Sequence, residues 1–164
     1  MRALLALVLS SALAACGFQL RGTAEVPFES VYVANATGGI ARDLKRSIQA
    51  GTHAKVIEDA KSAQALLLFT EETRQKEILS LTGTGRVREF QLRYRVGFRV
   101  HDGKGSDYVP QTTILLTRDI TFNDSDILAK EAEEGLLWKD MQTDMVQQIM
   151  RRLAAAQKPT PRVQ

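Results

Sequence analysis

The sequence predicts an α+β fold: a two-layer sandwich in which a mostly antiparallel, four-stranded sheet carries two helices on one face. Three observations lead there. Residues 86–101 alternate, with Phe90, Leu92, Tyr94, Val96, Phe98 and Val100 on one side and Val87, Glu89, Gln91, Arg93, Arg95, Gly97 and Arg99 on the other. A period of two held this long marks a strand with one apolar and one polar face, long enough to be the spine of a sheet. Two further segments, about residues 40–50 and 127–156, place apolar residues at helical spacing, so each must bury a stripe. One apolar sheet face and two amphipathic helices satisfy each other in two layers.

In chain order, residues 30–35 form a first strand with Val31 and Val33 on one side, broken by Gly38-Gly39. Ile40, Leu44 and Ile48 give the first helix its stripe, with Thr37 as cap and Gly51 as stop. Residues 55–57 are a short extended piece at an edge. Residues 65–81 are a second long extended segment, apolar at first and wholly polar from Thr70 to Lys76. There the alternation slips, which predicts a bulge or an overhang leaving the sheet near 73–77; a helix is the rival reading. Thr82-Gly83-Thr84-Gly85 and Asp102-Gly103-Lys104-Gly105 are hairpin turns on either side of the spine.

The return strand, about 108–122, puts Ile114, Leu116, Ile120 and Phe122 on one face, with Arg118 interrupting; Asp119 is a candidate to neutralise one of the spine's arginines, in a register that the sequence does not specify. Pro110, lacking a donor, fits an edge or a bulge. Residues 123–126 cap the last helix, whose stripe reads Leu128, Leu137, Met141, Met145, Ile149 and Leu153, with Lys130 and Lys139 outward.

Length and an apolar fraction of 44% fit one domain. The formal charge is only +3, so the balance is not that of a nucleic-acid-binding chain. The bases are concentrated instead: Arg86, Arg88, Arg93, Arg95 and Arg99 crowd the spine and the turn before it. Two readings of Arg93, Arg95 and Arg99 stand. They keep an open sheet face soluble, or they meet an anionic partner.

Met1-Arg2 followed by an unbroken apolar or small run to Ala15 has the layout of an export signal and is too short to span a membrane. It ends in Leu13-Ala14-Ala15-Cys16, similar to a bacterial lipobox, which implies cleavage before Cys16 and lipidation there; a free reactive thiol is the competing reading. Cys16 is the one cysteine, so no intramolecular disulfide competes for it. Gly17 rather than an aspartate follows, pointing to the periplasmic face of the outer membrane. The expected organisation is a cleaved signal over 1–15, the lipidated cysteine and a tether over 16–27, one α+β domain over 28–157 and a flexible tail over 158–164.

Chemistry is sparse. His53 and His101 belong to no spaced ligand set, so a metal or other cofactor is not expected. The Gly83/Gly85 pair lacks a third glycine at Arg88 and precedes a strand, so it is no dinucleotide loop. Tyr94 and Phe98 alternate onto the apolar face, away from the arginines, so they are core and not base-stacking residues. The chain reads as a non-enzyme with no nucleic-acid partner.

Leu13-Ala14-Ala15-Cys16-Gly17, Arg88-Glu89-Phe90-Gln91-Leu92 and Ile127-Leu128-Ala129-Lys130-Glu131-Ala132-Glu133 together resemble the LPS-assembly lipoprotein (LptE, or RlpB) family. That resemblance implies an αβ sandwich lodged as a plug in the LptD β-barrel of the outer membrane, helping the barrel assemble and binding lipopolysaccharide. It further implies that Lys130, with Arg86 and Arg88 near the family's basic turn, contacts lipopolysaccharide, and that acylated Cys16 anchors the chain in the bilayer. The alternative is an outer-membrane lipoprotein serving as a structural or carrier module for another anionic envelope component.

Overall fold

The computed structural model describes residues 24–34 and 39–158. The signal run, Cys16, Thr37 and the tail beyond Lys158 lie outside the described residues. Along the chain run β1 (Ser30–Val33), α1 (Ile40–Gly51), β2 (Lys55–Val56), β3 (Ala65–Leu81), β4 (Val87–His101), β5 (Asp107–Thr121), a 3₁₀ turn (Asp124–Asp126) and α2 (Ile127–Ala154). The sheet has five strands in the order β2-β1-β3-β4-β5, not four. It is mixed, because β1 lies parallel to both neighbours while β3, β4 and β5 form an antiparallel meander. The short extended piece is the fifth strand: β2 pairs Lys55 with Ser30 and Val56 with Val31 at the sheet's edge.

The spine alternates as its sequence demands. Leu92, Tyr94, Val96, Phe98 and Val100 are all fully buried, against Val31, Val33, Leu67, Ile114 and the helices. Each such side chain contributes roughly 1.5–3 kcal/mol of transfer free energy. Both helices pack on this one face, and α1 touches α2 as well as the sheet. Helix α1 buries Ile40, Leu44 and Ile48 and ends at Thr52, whose backbone N–H and hydroxyl both donate to the Ile48 carbonyl at 3.0 and 2.9 Å.

Three expectations need correction. β3 does not leave the sheet at 73–77: Thr73 to Glu77 stay paired with Arg95 to Gln91. The bulges sit instead at Thr70 and after Ile78. Above the first bulge, Gly97 leaves room for Thr70 and Gln111 to hydrogen-bond across it; a Cβ on Gly97 would stand 2.7 Å from Thr70 Oγ1. Asp119 does not neutralise an arginine; it lies opposite Gln91 and accepts its amide at 3.0 Å. Finally, the apolar stripe of α2 is buried only from Met141 onward, through Met145, Val146, Ile149 and Leu153. Leu128 is 82% exposed.

The strands set the long axis. Ala24, the Gly51–Thr52 corner, the β4–β5 turn and the carboxyl end of α2 gather at one end, since Ala24 bridges to Thr52 and β1 starts beside Lys55 and Ala65. The β3–β4 hairpin, the end of β5 and the start of α2 gather at the other. The 15 residues of β4 separate these ends by about 50 Å at a strand's rise of ~3.4 Å per residue.

Candidate functional site

On the uncovered sheet face the arginines do not stand alone. Arg93 meets Glu77 at 3.1 Å, Arg95 meets Glu71 at 3.8 Å and Arg99 meets Asp107 at 2.7 Å. The register makes this so, because Glu71 and Glu77 of β3 share that face with Gly97 and Gln91. What the sequence presents as a basic strand is, in the sheet, part of an alternating mosaic of charges. Such surface pairs add little stability, ~0–1 kcal/mol each, but they leave the face polar and nearly neutral.

The hairpin end is different. The turn is closed by Gly85 at φ +80° and by hydrogen bonds from the Thr82 and Arg86 backbones, and it carries Arg86. Arg88 follows with its side chain 65% exposed and its nearest carboxylate, Glu89, at 3.8 Å. The Arg88 carbonyl accepts Phe122 N–H at 2.8 Å, which ties the hairpin to the end of β5. Lys130 reaches the same place from α2. It is not outward: its side chain is 21% exposed, with Nζ 3.0 Å from Thr121 Oγ1 and 2.9 Å from Glu133. Arg86, Arg88 and Lys130 therefore come together at one end of the molecule, the end away from Ala24.

Sequence reading missed what surrounds them. Ile78, Leu79, Leu81, Ile127 and Leu128 are large apolar side chains left 46–82% exposed at the same end. Helical phase alone accounts for Leu128; the exposure of the others follows from the helix layer being incomplete there. Cations beside exposed aliphatic side chains suit an amphiphile with a phosphorylated head.

The polar middle of β3 also finds its partners in α2. Glu72, Arg74 and Lys76 lie opposite Val96, Tyr94 and Leu92, on the face that carries the helices. Lys76 Nζ is 2.6 Å from Glu134 and 4.3 Å over the Phe90 ring. Arg74 stacks on Tyr94 at 4.7 Å and on Trp138 at 5.7 Å and donates to Gln142, which donates to Asp43 of α1. Tyr94 donates to Glu72 at 2.8 Å, and burial raises its hydroxyl pKa well above the ordinary range.

At Glu134, burial opposes the charged form, but hydrogen bonds from Lys76 and the Trp138 indole outweigh it and hold the carboxyl below its ordinary range. A depressed carboxylate contributes stability above its unfolded pKa and loses it as pH falls through the folded one. Acidification below the usual glutamate range, about 4.3, is therefore expected to weaken the hold on the first half of α2. Denaturant titrations from pH 7 to pH 3 should show a flatter loss in a Glu134→Gln variant than in the native chain.

Residues 28–153 match the profile of the family described as "LptE: Lipopolysaccharide-assembly". The chain belongs to the LptE family. The LPS-assembly lipoprotein LptE of Photorhabdus laumondii subsp. laumondii is 27% identical over 144 residues, covering 85% of this chain and 78% of the relative. The solution structure of a lipoprotein B from Nitrosomonas europaea superposes with a TM-score of 0.74 at 45% identity, covering 85% of this chain and 91% of that one. The crystal structure of the rare lipoprotein B from Shewanella oneidensis gives 0.64 at 25% identity, covering 77% and 92%. LptE membership makes the chain an outer-membrane lipoprotein of lipopolysaccharide assembly, lipid-anchored at the periplasmic face and not an enzyme. Among the described residues no three His, Cys, Asp or Glu side chains are grouped to hold a metal, and no helix is long and apolar enough to cross a membrane.

Proposed function

We propose that this LptE chain sits as a plug in an LptD-like outer-membrane β-barrel and binds lipopolysaccharide at its hairpin end, supporting its passage into the outer leaflet. The observation that carries this reading is the convergence of Arg86, Arg88 and Lys130 with Ile78, Leu79, Leu81, Ile127 and Leu128 at one end. Guanidinium and ammonium groups answer the phosphates of the lipid A head, and the aliphatic side chains answer its acyl chains. The signal over 1–15 is removed and Cys16 carries the acyl anchor in this reading; several chains on one residue hold a protein on a bilayer firmly. The described residues begin at Ala24, and the lipopolysaccharide-binding end stands about 50 Å from Ala24 along the strands.

The charge mosaic supports the plug. A barrel lumen of this type is polar, and a face whose arginines are matched by Glu71, Glu77 and Asp107 presents hydrogen-bonding groups there without a large net charge. The same pairing gives less support to a carrier of another anionic envelope component, which needs a broad unneutralised basic face. Recovery of the lipidated protein from outer membranes in mild detergent tests the plug. One large β-barrel protein at about one to one is the expected result, and recovery of the lipoprotein alone, from cells that hold such a barrel, contradicts it.

A further inference from the structure

Helix α2 has two unequal halves. From Met141 onward it is pinned by fully buried side chains, whereas none before Met141 is buried. The first half is held by Lys76–Glu134, by Lys130 on Thr121 and, next to Met141, by Leu137 and Trp138, which are half-buried against the core, Trp138 also lying beside Arg74. Gly135 stands in its middle, and a Cβ there would meet nothing within 4 Å. Packing therefore does not require the glycine, which weakens a helix interior relative to alanine. Beneath this half lies a crevice floored by Phe90, Ile120 and Phe122 and rimmed by Lys76, Lys130, Glu131 and Glu134, with a volume of about 20 Å³. Phe90 and Phe122 meet edge to face at 5.4 Å.

We infer that the first half of α2 is a lid that unwinds to admit one acyl chain of the bound lipopolysaccharide onto Phe90, Ile120 and Phe122. This rests on the proposed lipopolysaccharide-binding role and adds where an acyl chain goes and what moves. The closed crevice holds about one water, so no chain enters without displacement of the helix above it. Lifting that half separates Lys76 from Glu134, and the freed ammonium then faces the phosphate end of the incoming amphiphile while the chain covers the aromatic floor. Because only the open form binds, the observed affinity is the open form's own affinity multiplied by the fraction of time the lid is open.

The test uses the lipidated protein in zwitterionic nanodiscs, with Trp138, the single tryptophan, as reporter. Lipid A with brominated acyl chains should quench Trp138. Gly135→Ala, which stiffens the helix, should weaken that lipid's binding about fivefold. Amides of 127–140 should exchange at least tenfold faster than those of 141–153 before ligand is added. Equal protection of the two halves overturns the lid. Equally tight binding of the deacylated bisphosphorylated glycan, or equal quenching by brominated phosphatidylglycerol, overturns the acyl site while leaving the anionic site in place. Failure of both lipid A and its glycan to bind overturns the underlying reading as well.

Discussion

Changing Arg88 and Lys130 together to glutamate is expected to lower lipopolysaccharide affinity at least a hundredfold. A charge-assisted hydrogen bond to a phosphate contributes roughly 1.5–3 kcal/mol, and reversal adds repulsion to its loss. The fold should tolerate the change. Arg88 is mostly exposed with a carboxylate no nearer than 3.8 Å, and the half-buried Lys130 gives up only its contacts to Thr121 and Glu133. Pairs of that kind are worth ~0–1 kcal/mol, so the melting temperature should move by only a few degrees. Surface-immobilised lipopolysaccharide and a thermal melt measure the two quantities on one preparation. An affinity unchanged within about threefold would mean that lipopolysaccharide does not bind at the hairpin end.

Met145→Ala should destabilise the protein by about 2–5 kcal/mol, as expected when a long side chain is cut back in a packed core. Leu136→Ala, nine residues earlier on the same helix, should shift stability by no more than about 0.5 kcal/mol. Met145 is fully buried in the cluster with Leu44, Tyr94 and Ile149, whereas Leu136 is 64% exposed. Denaturant titration of both variants measures the contrast. A Leu136→Ala loss as large as that of Met145→Ala would mean that the first half of α2 is covered by apolar packing after all.

The spine was legible because one face is buried along its whole length, so periodicity alone identifies Leu92 to Val100 as core. The first strand was legible as a strand but not as a parallel one, since parallel pairing rests on only a few residues beside Ala65 to Leu67. The polar middle of β3 reads as an overhang because its partners are tertiary. Lys76 and Arg74 are matched by Glu134 and Gln142 of a helix far along the chain. The misplaced Leu128 had a readable cause. At about 100° per residue it falls about 140° round the helix from Met141, while Lys130 and Glu134 occupy the positions in phase with the core. The bases of the candidate site were visible one by one. Their convergence with the exposed aliphatic side chains depends on where hairpin, β5 and α2 end together, which no spacing in the sequence encodes.

The most direct measurement of where lipopolysaccharide sits is photo-crosslinking in cells from two positions at opposite ends of the molecule. A photo-reactive residue at Leu81, 54% exposed in the hairpin, is compared with one at Lys104 in the β4–β5 turn. A lipopolysaccharide adduct is expected at position 81, lost when Arg88 and Lys130 are reversed in charge, with none above background at position 104. Equal adducts at both positions, or a stronger one at 104, would contradict binding at the hairpin end.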